Sequence, residues 1–104
     1  MCVMKPDKRT AVFPGSFDPF TLGHMDVLNS ALKLFDKIYI AVGYNHLKHG
    51  FLPPEVRVRL IRDAVRPLVE SGKDIEVLSY TGLTVDLCRE KNTGFIIRGL
   101  RTTT

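Results

Sequence analysis

Four short apolar runs, separated by stretches of helical periodicity, limit this chain more than any other feature of its sequence. The runs are residues 10–13, 37–43, 74–78 and 95–97. Thr10 to Phe13 is apolar on both faces, as a strand covered on two sides must be. Lys37 to Gly43 (Lys-Ile-Tyr-Ile-Ala-Val-Gly) is β-branched and aromatic and is closed by a glycine. Between the runs, apolar residues recur at three and four positions. Leu28, Ala31, Leu32 and Phe35 make one stripe; Val56, Leu60, Ile61, Ala64, Val65 and Leu68 make a second; Leu83, Val85, Leu87 and Cys88 make a short third. Connections of that length do not close hairpins; they carry the chain back so that the next strand runs parallel to the last.

The alternation therefore predicts an α/β layer fold: a Rossmann-like parallel sheet of four strands with three helices on both faces, joined by right-handed crossovers. Punctuation agrees. Pro53 and Pro54 open the second helix, where a missing N–H costs no hydrogen bond, Ser71-Gly72 ends it, and Asn92-Thr93-Gly94 stops the third. Arg57, Arg59, Arg62 and Arg66 read as the solvated face of the second helix.

At 104 residues, 44% of them apolar, the chain reads as one domain, residues 1–104, with no linker, repeat or low-complexity tract. A formal charge of +4 suits anionic small ligands. It is too small and dispersed to argue for nucleic acid, and the absence of Trp removes one common stacking platform. Cys2 and Cys88 have neither metal nor redox spacing; Cys88 reads as a buried small apolar residue in a reducing compartment. No segment approaches the ~18 apolar residues of a membrane span, and a cytoplasmic location is expected.

In parallel sheets of this kind, ligands bind beyond the carboxyl ends of the strands, where strand order reverses. Here those ends carry residues 14–18, 43–48, 79–84 and 98–101, which hold most of the unusual polar residues. The first is the richest. Phe13-Pro14-Gly15-Ser16-Phe17-Asp18-Pro19-Phe20-Thr21-Leu22-Gly23-His24 leads from a strand into a helix. Pro14, Gly15, Pro19 and Gly23 are expected to break regular structure and to let the backbone approach a bound group. A strand that turns into a helix N-terminus gathers free N–H groups and the positive end of the helix dipole, which makes an anion site. His24 would aim an imidazole at that anion, and Asp18 would brace the turn. The three-glycine dinucleotide fingerprint and the Walker phosphate loop are both missing. His46 and His49, three residues apart in a polar loop without further ligands, do not read as a metal site.

Gly15-Ser16-Phe17-Asp18-Pro19 with Gly23-His24 resembles the signature of the nucleotidylyltransferase superfamily. Together with Met25-Asp26, Lys48, Glu55-Val56-Arg57 and Ile97-Arg98-Gly99-Leu100-Arg101, it resembles most closely the bacterial-type phosphopantetheine adenylyltransferase family, over nearly all of the chain. The resemblance implies adenylyl transfer from ATP to 4′-phosphopantetheine, giving dephospho-coenzyme A and pyrophosphate. It implies His24 and Lys48 as the catalytic pair that stabilises the in-line transition state. Ser16, Phe17, His24, Gly99, Leu100 and Arg101 are implied at the ATP, and Ser16, Lys48, Thr84 and Arg98 at the phosphopantetheine. Thr84 stands where the family tends to be apolar, so its contribution is expected through backbone or shape. Mg2+ held mainly by the phosphates, a cytoplasmic setting and homo-oligomers, commonly hexamers, are implied as well.

The family's chains continue past the Arg-Gly-Leu-Arg run with a further acidic helix residue, a fifth strand and a serine-rich turn. The sequence is accordingly expected to be either a portion of a longer protein or a shortened relative. As 104 residues it is expected to show little turnover, or to act only as a weak nucleotide or pantetheine-phosphate binder.

Overall fold

The computed structural model describes residues 9–44 and 53–98. Three strands and three helices alternate: β1 (Thr10–Gly15), α1 (Leu22–Leu32), β2 (Lys37–Gly43), α2 (Pro54–Glu70), β3 (Asp74–Tyr80) and α3 (Thr84–Glu90). Pairing is parallel throughout, with Phe13 beside Ile40 and Ile40 beside Val77.

Side chains leave the strands alternately, and the two faces are covered by different helices. Phe13, Ile38, Ile40, Val42 and Val77 meet Leu28 and Ala31 of α1 and Val58, Ile61 and Val65 of α2. Val12 and Ala41 meet Leu87 and Cys88 of α3, with Tyr39, Leu78 and Tyr80 around them. Cys88 is buried with a free thiol. This division follows from the crossovers. While the chain steps from β1 to β3 its helices stay on one face; once it turns back past β1, a right-handed connection must use the other.

The return is made by residues 95–97. Val12 N–H donates to the Phe95 carbonyl at 3.0 Å and Ile97 N–H to the Val12 carbonyl at 2.8 Å, a single parallel bridge on the edge of β1 away from β2. The expected fourth strand is therefore reduced to one bridge. Sequence chemistry accounts for it: the next ladder bond would need an N–H at residue 14, which is proline. At the other end the Thr93 hydroxyl donates to the Thr10 carbonyl at 2.6 Å, taking a place that a strand amide would fill. The spatial order is thus β3, β2, β1 and then residues 95–97. Its direction reverses at β1.

Two other expectations are corrected. Pro14 and Gly15 close β1, which runs two residues past Phe13, and Gly23 is the second residue of α1; none of the three breaks regular structure. The buried stripe of α2 is also rotated. Leu60 is 44% exposed and Ala64 is exposed, whereas Arg57 is buried with Val58, Ile61 and Val65. Within the third apolar stripe Leu83 and Val85 face outward, and only Leu87 and Cys88 are buried.

Candidate active site

The reversal point lies at the carboxyl end of β1, where the chain turns through residues 16–21 into α1. Phe17 anchors this turn. Its ring is 2% exposed, lies edge-on to Phe13 at 5.2 Å, and packs back over Gly15. A Cβ on Gly15 would stand 3.0 Å from the tip of that ring, tight enough that the ring would have to give by a few tenths of an ångström. The backbone of Phe17 is left-handed, with φ at +48°, a conformation uncommon for an aromatic residue. With its ring in the core, Phe17 can offer a ligand only its backbone.

Thr21 caps α1 and at the same time fixes His24. The Thr21 hydroxyl accepts from the His24 N–H at 3.3 Å, and the Thr21 N–H donates to His24 Nδ1 at 2.9 Å. This reciprocal box usually carries Glu or Gln at the third helical position; here a histidine fills it. The ring is held further by Phe20, stacked at 5.4 Å and 28°, and by the edge of Phe17 at 4.9 Å. Because Nδ1 accepts a hydrogen bond from a backbone amide, the neutral ring carries its proton on Nε2. Partial burial lowers the pKa of His24 below the ordinary 6.5. The amide hydrogen facing Nδ1 acts in the same direction, since a second proton there would confront it.

Further donors surround the ring. Among the described residues the N–H groups of Phe17, Leu22 and Gly23 have no partner, and the first turn of α1 carries no acidic side chain to cancel its dipole. A Cβ on Gly23 would meet only the Thr21 hydroxyl, at an ordinary 3.6 Å, so the front of that turn is open. Carrying the register of Val12 and Ile96 two residues on sets Arg98 beside Pro14; its side chain is exposed, with no ion-pair partner among the described residues.

The remaining expected residues divide into three groups. Ser16 is in the turn, exposed, and its carbonyl accepts from Arg57 Nη1 at 2.9 Å. Thr84 begins α3 beyond β3, with its hydroxyl 2.7 Å from the Tyr80 phenol, whose ring lies against Gly43. That bond ties together the ends of β2, β3 and α3. Lys48, Gly99, Leu100 and Arg101 lie outside the described residues. No three His, Cys, Asp or Glu side chains gather among the described residues. A groove of about 460 Å3 between α1 and residues 95–97, with Leu34, Phe35 and Phe95 among its lining, does not include His24.

Sequence reasoning passed over two residues of this site. Thr21 could have been found as an N-cap three residues before His24. Arg57 could have been found by its spacing, since it stands four residues before Ile61 and eight before Val65 on one helical stripe.

Comparison with known proteins bears on the family and the fold. Residues 12–104 match the family model described as Cytidylyltransferase-like. The chain is 45% identical over 93 residues to a phosphopantetheine adenylyltransferase of Christiangramia forsetii, covering 89% of this chain and 59% of that one. It is 48% identical over 95 residues to that of Pelagibacter ubique, covering 90% and 58%, and 48% identical over 98 residues to that of Leptospira biflexa, covering 93% and 58%. The chain thus spans rather under two thirds of these relatives. Among solved structures, a NadR protein in complex with NAD and AMP-PNP superposes with a TM-score of 0.63 at 21% identity, over 86% of this chain and 29% of that one. At that identity the likeness is one of fold.

Proposed function

The chain belongs to the cytidylyltransferase-like family, and from that premise we propose that it forms the phosphate-handling part of a phosphopantetheine adenylyltransferase. ATP and 4′-phosphopantetheine meet at the carboxyl end of β1. A phosphate oxygen of phosphopantetheine attacks the α-phosphorus of ATP, the bond from that phosphorus to the bridging oxygen breaks, and pyrophosphate leaves. The nucleophile is already an anion, so no general base is needed. The protein's work is to hold two anions in line and to meet the charge on the α-phosphoryl oxygens.

The observation that carries this reading is the locked ring of His24. With Nδ1 engaged by Thr21, the Nε2–H is left to donate to a phosphoryl oxygen without reorganisation. The N–H groups of Phe17, Leu22 and Gly23 supply further donors, Arg98 supplies a guanidinium suited to paired phosphate contacts, and Ser16 stands at the rim. Lys48 is assigned beside His24, and Gly99, Leu100 and Arg101 at the nucleotide, by family resemblance, as is Thr84 at the acceptor. Magnesium would enter with the triphosphate oxygens. The described residues bring no set of acidic ligands together for it. Hexameric assembly and a cytoplasmic setting belong to the same reading; no helix among the described residues is long and apolar enough to cross a membrane.

The test follows pyrophosphate released from ATP and 4′-phosphopantetheine by protein carrying this chain, beside H24A. Release that depends on both substrates and on His24 is expected. ATP uptake without release would assign the chain a binding role only, and neither uptake nor release would remove the reading.

A further inference from the structure

We propose that Arg57 is a positioning residue of the phosphate turn: by holding the Ser16 carbonyl from beneath, it aims the Phe17 N–H at the anionic ligand. The identity of that ligand as ATP rests on the reading above; the positioning itself rests on the geometry.

Arg57 is 5% exposed, a rare place for a guanidinium. A charge so enclosed is tolerated only where hydrogen bonds meet it, and Nη1 lies 2.9 Å from the Ser16 carbonyl, 41 residues away in sequence. The Ser16–Phe17 peptide is not among the cis bonds of the chain. In a planar trans peptide C=O and N–H point in opposite directions, so drawing the Ser16 oxygen toward α2 turns the Phe17 N–H the other way. That N–H has no partner among the described residues. Two effects on an anion follow from one contact. A donor is presented to it, and the negative end of a carbonyl, which would repel it, is turned aside and neutralised. The left-handed φ of Phe17 and the packing of its ring over Gly15 hold the same peptide from its other end. Arg57 thus acts on binding through a peptide group, with no need to touch the ligand.

A purely structural staple between α2 and the turn predicts a different pattern from positioning, and R57K separates the two. Lysine keeps the charge and one donor but cannot reproduce the planar fork. R57K is expected to melt within a few degrees of wild type. Below the melt it should bind ATP about tenfold more weakly, the cost of one misdirected charge-assisted donor, and the Phe17 amide cross-peak in a 1H–15N spectrum should move. A lowered melting temperature with ATP affinity unchanged below the melt would overturn the proposal. If R57K does not fold, the wild-type chain decides: titration with ATP must shift the Phe17 amide, and an unmoved amide overturns the assignment. If wild-type chain takes up no ATP, the functional reading fails, yet the Phe17 amide of R57K against wild type still tests the positioning.

Discussion

The two ends of the sheet treat polar groups in opposite ways. At the amino end, Lys37 reaches Asp74 and Glu76 at 3.4 Å each, Lys91 lies 3.9 Å from Glu76, and both ammonium groups sit over the ring of Tyr39 at 5.1 and 5.4 Å. Charge there is matched within the protein. At the carboxyl end the Phe17, Leu22 and Gly23 amides, the His24 Nε2 and the exposed Arg98 guanidinium have no partner among the described residues. Unmatched donors at that end are what the proposed anion site requires, whereas the ammonium groups named at the amino end are already matched. Changes at the carboxyl end should therefore alter what binds, and changes at the amino end only how firmly the chain folds.

The largest effect expected is at His24. H24A removes a donor that the proposed mechanism sets at the reacting phosphoryl group, and a loss of about 10²–10³ in kcat is expected with a much smaller change in ATP affinity. Turnover within a few-fold of wild type would remove His24 from the chemistry. Next in size is G15A. Its methyl meets the buried Phe17 ring at 3.0 Å, and that ring has no solvent to retreat into. A stability loss of about 1–3 kcal/mol is expected by chemical denaturation, accompanied by movement of the His24 ring resonances, because Phe17 supports that imidazole. Unchanged stability would mean that the turn can relax, contrary to the packing seen.

What could be read from the sequence divides along the same line. Side-chain periodicity encodes which elements form, so β2 was expected over the residues it occupies, and the parallel pairing was expected too. The strand-to-helix turn that the anion reading needs was legible too, since Gly-His after a strand restricts what the backbone can present. Hydrogen bonds between distant elements leave no such period. Arg57 was assigned to solvent because arginine usually lies there, although its spacing with Ile61 and Val65 set it on the buried stripe. The bridge at Ile96 looked like a strand because its residues are apolar and β-branched; only the register against Pro14 reveals where the ladder must stop.

The acid limb of stability is the next test. Folding lowers the pKa of His24 below 6.5 through burial, so between the folded and unfolded values the unfolded chain binds more protons. Stability of the ligand-free chain should be fully present above 6.5 and lost as pH falls through the folded value. The expected measurement is a denaturation midpoint that declines on acidification through this range in wild type and declines less in H24Q. If the two decline in parallel, His24 is not the group responsible. Nucleotide binding should hold to somewhat below pH 6.5 as well, since the neutral ring with its proton on Nε2 is the form that Thr21 selects.

The smallest effect is expected at the amino end, and it tests the comparison from the other side. Burial by itself would lower the pKa of Lys37, but the charge of Asp74 and hydrogen bonds to Asp74 and Glu76 outweigh it and raise the value above 10.5. A raised pKa means that the contribution is fully present below the unfolded value and fades as pH climbs through the folded one. Its size is limited: the Asp74 and Glu76 side chains are 41% and 47% exposed, so solvent screens both pairs. K37M should therefore cost about 0.2–1 kcal/mol near neutral pH, less at high salt, with the difference from wild type shrinking at strongly alkaline pH. ATP affinity should not change, because the pairs lie a full strand length from the turn at Ser16. A several-fold change in affinity from K37M would show that charge at the amino end reaches the phosphate site, and the separation of the two ends drawn above would fail.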